Sequence, residues 1–546
     1  MPYHTSYYVT QSASHLYFTA EFSLLKLDKT DLSETYLTKV EGLSDVDVAL
    51  AKYNPYADQL LVAYSNSNVD LVTENDVINF SEIFKNTAIL GDKRINTIYF
   101  ENDSWAYLAC GFGLVQLNIK NEEFGFTTFT DTKVFDVAVF QDSIYMTTEN
   151  GIYRISRSHA NPAYFANWTK IGAESGLPDE YSANSLCQFG ASLTAAIDGN
   201  LYKKQNGGNF ELVAQKSGYQ VQYISAEGPH LLVGWKCNGD CNGSLQVWDQ
   251  STMLNEFNND CIRRPIYGVE DQSGRIWFAD EFFPFKYIDY PSGECHSKDF
   301  NTPFSHFATD MVVDPVNNDL YIASGGIQSN GIYQFRSDGF FRYSNGQWTN
   351  FNHYFTPELA DPIFYDYNAL AIDPKTNHLF IGTYWGGVLE YDHSHFTVYN
   401  KDNSSLQGAV GDAQRERVSG LAFDSKGNLW VSNFAAPRPI SVRKSDGSWQ
   451  SFKPVTQTNL FQVVVDQQDN KWFIVQGNSG GVMVFNEGAD FNSTADDKVR
   501  FINTGNSVLT SNTINCLAVD LDGAVWVGTD AGPFVFECGS NVFDSS

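Results

Sequence analysis

Short runs of alternating apolar and polar residues, broken at close intervals by Gly, Asn and Asp, recur along the chain. This period-two pattern predicts half-buried β-strands joined by tight turns. The stretch AVDLDGAVWVGTDAGPFVF, Ala518–Phe536, shows it compactly: an apolar strand ending in Asp520, an Asp-Gly turn, a second strand with Trp526, a loop and a third strand. The same pattern starts at Gly268, Met311, Leu370, Leu421 and Val463, so that Asp271, Asp314, Asp373, Asp424, Asp466 and Asp520 align at intervals of 42 to 59 residues. Six less regular copies start at His15, Gln59, Trp105, Ser143, Ser192 and His230. Segments such as His395–Asn400 and Ser448–Lys453 supply a fourth strand between one copy and the next.

A four-stranded unit repeating about every 40 to 50 residues is the unit of a β-propeller. A sandwich lacks so long a regular period, and the coils of a parallel β-helix are shorter. The predicted fold is therefore all-β, with two consecutive propellers, because twelve units exceed one ring of four to eight blades. The expected boundaries are 1–303, with about seven blades, and 304–546, with five visible. On this count the second ring lacks about two blades and the chain is truncated; two six-bladed rings are the alternative. Trp526 is expected to pack between sheets.

Composition supports strands over helices: aromatics make up 15% of the 546 residues, and 42 are Gly. A net charge of −29 excludes nucleic acid and anionic lipid as default partners. No apolar run is long enough for a membrane helix, and Met1–Thr5 does not read as a signal peptide, so any export signal is expected to have been trimmed. The eight cysteines are too sparse for a disulfide framework, but Cys237 and Cys241 flank a Gly/Asn-rich turn and are candidates for a small disulfide loop. A zinc site there lacks a second ligand pair.

The repeat's chemistry reads as structural. Asp520-Leu-Asp-Gly523 resembles the start of a calcium loop, but Ala524 stands where a third ligand is needed. Gly528–Gly532 is followed by no Gly-Lys-Ser/Thr, so it is not a phosphate cradle. His393 and His395 would share one strand face, too few ligands for a metal. No nucleophile elbow or zinc-protease motif appears, and no catalytic residue, metal or cofactor is assigned.

In a propeller the second-to-third and fourth-to-first connections gather on one face, where binding is expected. On that face fall Asp280–Phe285, Asp361–Asn368, Thr383–Gly387, Gly411–Gly420 and Asn433–Pro439. Tyr365, Tyr367, Tyr384, Trp385 and Phe434 are candidates to stack on sugar rings. Arg415, Arg417 and Arg438 are candidates to fork onto phosphate or carboxylate. The competing reading packs the aromatics between blades and pairs the arginines with acids.

The pattern Asp-x-x-Gly-x-Leu-Trp-Val-Gly-Thr, closely matched at Asp424–Val431 and Asp520–Thr529, with Gly386-Gly387 and Asp392 completing the copy from Asp373, resembles the two-component-regulator propeller repeat of Bacteroidetes proteins. Double propellers with this repeat occur in glycan-binding sensors of hybrid two-component systems and in PorZ proteins of the type IX secretion system. The irregular first half, with INTIYFENDSWAYLACGFGLVQLN from Ile95, looks more like PorZ. That resemblance implies two seven-bladed propellers followed by a C-terminal signal-type domain. It also implies a cell-surface complex with the sortase PorU, the barrel PorV and PorQ, in which anionic lipopolysaccharide is presented for attachment to cargo. The alternatives are a periplasmic glycan sensor and, with no motif in its favour, a propeller lyase or glycosidase.

Overall fold

A computed structural model describes residues 6–20, 23–282, 285–328, 331–360, 362–453, 457–477, 480–537 and 539–544. The expected copy at Ala518–Phe536 forms strands Ile514–Val519, Val525–Thr529 and Gly532–Phe536, antiparallel, with Val519 opposite Val525. Each aligned aspartate folds its first-to-second-strand turn. Asp424 Oδ1 accepts the backbone N–H groups of Lys426 (3.0 Å) and Asn428 (2.8 Å), an Asx-type turn, and Gly427 takes the left-handed φ of +82° that closes it. The other oxygen, Oδ2, accepts the indole N–H of Trp430 at 3.0 Å. The same aspartate-to-indole bond joins Trp277 to Asp271 (3.1 Å), Trp472 to Asp466 (2.9 Å) and Trp526 to Asp520 (2.8 Å). The Asp and the Trp six residues later are thus one device, in which a turn carboxylate satisfies the polar edge of a large apolar side chain.

Trp277, Trp430 and Trp472 are buried between sheets, but Trp526 is 44% exposed. The expectation that Trp526 packs between sheets is therefore corrected: its indole is fixed by Asp520 while its ring stays accessible to water.

The chain divides into two compact units, Tyr3–Phe300 and Asn301–Ser546. Among the described residues the first holds seven four-stranded antiparallel sheets and the second holds four such sheets and a final one of three strands. Every sheet is built from consecutive strands, as in a propeller blade. Apolar side chains pack between neighbouring sheets: Phe18 against Trp277 in the first unit, and Trp430 against Phe485 in the second.

The innermost strand of each sheet is an edge with unpaired backbone groups, and side chains from its neighbour satisfy them. In the first unit Asn96 Nδ2 donates to the Val134 carbonyl (2.7 Å), Thr97 to that of Phe135 (2.7 Å), and Asp136 accepts the Leu186 N–H (2.8 Å). In the second, Asp310 accepts the Leu370 N–H (2.8 Å), Ser419 donates to Leu460 (2.6 Å), and Gln462 both donates to and accepts from Leu517. Close approach here requires glycine: a Cβ on Gly420 would stand 2.6 Å from the Phe461 carbonyl oxygen.

Cys237 and Cys241 form a disulfide, as do Cys261 and Cys295; each pair has Cα atoms 5.8 Å apart. Cys110, Cys187 and Cys516 are free thiols, and Cys538 lies outside the described residues.

Candidate functional site

In the second unit the loops of one face bring together side chains far apart in sequence. The loop Thr383–Gly387 is a tight turn: Thr383 Oγ1 donates to the Gly387 carbonyl (3.0 Å) and accepts the Gly386 N–H (3.1 Å). Gly387 has φ +84°, and a Cβ there would meet the Tyr399 carbonyl oxygen at 2.1 Å. The turn directs Tyr384 inward, with no exposed surface and its hydroxyl donating to the Gly331 carbonyl at 3.1 Å, and leaves Trp385 half-buried at the face. A version of this turn one residue shorter closes the last copy: Thr529 donates to Gly532 (2.7 Å) and accepts from Ala531 (3.0 Å). The Ala531 N–H is consumed in closing the loop, which argues against reading Gly528–Gly532 as an anion cradle.

The buried carboxylate of Asp366 anchors a neighbouring loop by accepting the backbone N–H groups of Gln334 (3.0 Å), Phe335 (3.0 Å) and Arg336 (3.1 Å). Burial raises its pKa, and those three donors oppose the rise. The anchored loop places Tyr333 edge-on to Trp385, with centroids 4.9 Å apart, and Phe335 5.4 Å from the same indole. Tyr365 closes the cluster at 5.5 Å from Trp385. The Arg415 guanidinium lies 3.8 Å over the Trp385 ring and donates to the Gln414 carbonyl (3.2 Å). Arg417 lies 4.5 Å over Tyr333, donating to its hydroxyl (2.6 Å) and to Asp412 (2.9 Å), while the Tyr333 hydroxyl also donates to Asp412. Partial burial alone would raise the Asp412 carboxyl, but the bonds from Tyr333 and Arg417 hold its pKa below the ordinary value.

The two arginines therefore differ. Arg417 is neutralised by Asp412 and braces Tyr333; Arg415 is a guanidinium stacked on an indole with no carboxylate within ion-pair distance among the described residues. Phe434, nearly buried, packs under Tyr384 and against Phe461 as part of the floor. Tyr367 lies in the core beside Phe340, off the face, because it opens the innermost strand Tyr367–Ile372. Arg438 is exposed and donates to Ser451 of an outer strand, away from the cluster. Phe283, Pro284 and Asp361 lie outside the described residues.

Tyr333, Phe335 and Asp412 were not singled out in the sequence. The signal for Tyr333 and Phe335 is loop length: sixteen residues separate strands Leu320–Ala323 and Phe340–Ser344, far more than in the other copies, and long structured loops carry function. The expected pairing of His393 and His395 on one strand face is also corrected. Both lie before the strand Phe396–Tyr399, His393 at φ +73° bonded to the Asn377 carbonyl (2.8 Å), and His395 exposed beside Asp392.

The first unit contains a channel of about 1440 Å³ lined by its innermost strands. Across it Lys52 forms an ion pair with Glu227 and bonds to the hydroxyls of Tyr8 (3.1 Å) and Tyr267 (3.2 Å), whose rings stack 4.0 Å apart. Thr10 donates to Glu227 Oε2 (2.7 Å), and Gln11 donates to the carbonyls of Glu227 (2.8 Å) and Glu270 (2.7 Å). These residues come from the first, second, sixth and seventh sheets, so the cluster joins the two ends of the seven-sheet series. Burial would lower the Lys52 pKa, but Glu227 and the two phenols raise it above the ordinary lysine value. Nearby, burial pushes the Asp136 carboxyl up to about 6 against the opposing backbone donors.

Residues 16–169 match the family model of the N-terminal β-propeller domain of PorZ of the type IX secretion system. The solved structure of PorZ from Porphyromonas gingivalis, described as an essential bacterial surface component of that system, aligns with a TM-score of 0.85 at 23% identity, covering 100% of this chain and 73% of that one. The extracellular domain of the one-component system BT4673 from B. thetaiotaomicron aligns with a TM-score of 0.38 at 15% identity, covering 99% and 71%. No curated protein matches. The chain is PorZ-like: residues 16–169 are similar to the PorZ N-terminal propeller domain, and the fold matches that of PorZ over the whole chain.

Proposed function

We propose that the protein is a non-enzymatic binding and scaffold component of a type IX secretion attachment complex, presenting an anionic lipopolysaccharide glycan to a sortase at the cell surface. The observation that carries the glycan reading is the Trp385–Tyr333–Phe335–Tyr365 cluster with Arg415 stacked on it. Aromatic faces match the C–H patches of sugar rings, and a guanidinium without a carboxylate partner matches phosphate or carboxylate substituents. An extracytoplasmic location is supported by two disulfides, which persist in oxidising compartments. No helix among the described residues is long and apolar enough to cross a membrane. The assembly with PorU, PorV and PorQ rests on the resemblance to PorZ.

Affinity purification of the tagged protein from solubilised outer membranes tests this reading. It predicts co-recovery of a sortase-like partner together with lipopolysaccharide; recovery of neither contradicts it.

A further inference from the structure

The seventh sheet of the first unit ends in a hairpin, Lys286–Asp289 paired with Glu294–Ser297, whose outer strand reads Glu-Cys-His-Ser. A strand without a large apolar residue gains little from burial and must be held by other means. On one face the holding is covalent: Cys295 lies opposite the buried Ile288 and is bonded to Cys261. Successive side chains alternate faces, so Glu294 and His296 share the other one. There the register sets Glu294 opposite Asp289 and His296 opposite Tyr287.

We propose that Asp289, Glu294 and His296 form a binding site for a divalent transition cation of the Zn²⁺ type. One ligand atom from each residue lies within 4.8 Å of the other two. His296 Nε2 stands 2.9 Å from Asp289 Oδ2 and 3.9 Å from Glu294 Oε1. Ligand atoms held at about 2.0–2.2 Å around a tetrahedral ion stand about 3.4 Å apart, between those two separations.

An independent observation concerns the imidazole. His296 Nε2 is sealed from water and has no hydrogen-bond partner; the nearby Asp289 oxygen lies outside hydrogen-bond geometry. The Nε2 lone pair thus has only the Asp289 carboxylate beside it and no donor to accept from, and a cation between the three groups would satisfy both. The ring is already oriented, stacked on Tyr287 at 4.7 Å and 20°. Arg275 approaches the other carboxylate oxygen of Asp289, Oδ1, at 3.9 Å, which leaves Oδ2 for the ion. One imidazole and two carboxylates select a borderline transition ion over Ca²⁺ or Mg²⁺, with water in the fourth position. Bound there, the ion fastens the outer strand on the face opposite the disulfide.

Titration of the EDTA-treated full chain with Co²⁺, followed by its visible ligand-field absorption, tests the site; Zn²⁺ is then added to displace it. The expected result is saturation near one equivalent, loss of the absorption in His296→Ala, and affinity weakened about tenfold or more in Glu294→Gln. Glu294 is 71% exposed, so that substitution leaves the fold intact. Absence of the absorption in the parent protein, or an unchanged signal in both variants, overturns the proposal.

Discussion

The Lys52–Glu227 pair gives the sharpest test of how the first unit holds together. Among the described residues every sheet there is made of consecutive strands, and none of these strands is exchanged between the first sheet and the seventh. The polar cluster around Glu227 is accordingly predicted to carry much of that junction. Glu227→Ala removes the carboxylate bonded to the Lys52 ammonium, leaving two phenol hydroxyls as partners, and deprives Thr10 of its 2.7 Å acceptor. Stranding one charge of a fully buried pair costs about 3–5 kcal/mol. Here the side chains keep 17% and 19% of their surface open. Channel water therefore compensates in part, and the expected loss is about 2–3 kcal/mol. Equilibrium urea unfolding of the full chain measures it, with hydrogen exchange of the innermost-strand amides assigning the loss to the first unit. Lys52→Met combined with Glu227→Met is expected to cost less than Glu227→Ala alone, because no charge is stranded. A Glu227→Ala protein within about 0.5 kcal/mol of the parent would refute the reasoning.

Three further predictions follow from the same geometry. Asp424→Ala strands the buried donors of Asn428 and Trp430 and should cost about 2–4 kcal/mol by chemical denaturation, whereas Asp520→Ala, whose Trp526 partner is exposed, should cost measurably less. Asp136 titrates at about 6 in the folded protein against an ordinary value of 3.8. Its raised pKa means that the fold binds the proton more tightly, so this contribution to stability is complete below about pH 3.8 and disappears as pH rises through about 6. Asp136→Asn should flatten that part of the stability profile, and an unchanged slope would exclude Asp136 as its source. Gly387→Ala, forced to φ +84° and against the Tyr399 carbonyl, should disorder the turn carrying Trp385, read as faster hydrogen exchange of the amides of residues 383–387 than in the parent.

The parts of the fold that repeat were legible in the sequence, because each sheet needs the same solution at the same place. The Asp-to-Trp spacing of the turns and the Thr–Gly loops are examples. What depends on residues meeting across a unit was not. Lys52 and Glu227 are 175 positions apart. Cys261 and Cys295 belong to one sheet but lie 34 positions apart with no local motif to link them. Among the candidate aromatics, loop position alone did not separate those that face water from those that turn inward. Tyr384 and Tyr367 are interior because a backbone carbonyl accepts the hydroxyl of one and the other begins an inward strand, while Trp385, one residue from Tyr384, faces outward. Tyr333 and Phe335 reach the cluster through the Asp366 anchor, a contact across about thirty residues that no period announces.

The central claim, an anionic glycan held by the Trp385–Arg415 face, is tested most directly by a binding isotherm of purified lipopolysaccharide glycan on the parent protein and on Trp385→Ala/Arg415→Ala. Trp385 also packs on Tyr333, Phe335 and Tyr365, so the variant's unfolding midpoint is measured first and binding is compared at a temperature where both proteins are folded. The account predicts saturable binding that weakens at least about fivefold in the variant, the sum of a lost stacking surface and a lost charged contact of about 0.5–2 kcal/mol each. Equal affinity for parent and variant, or no binding to either, would contradict it.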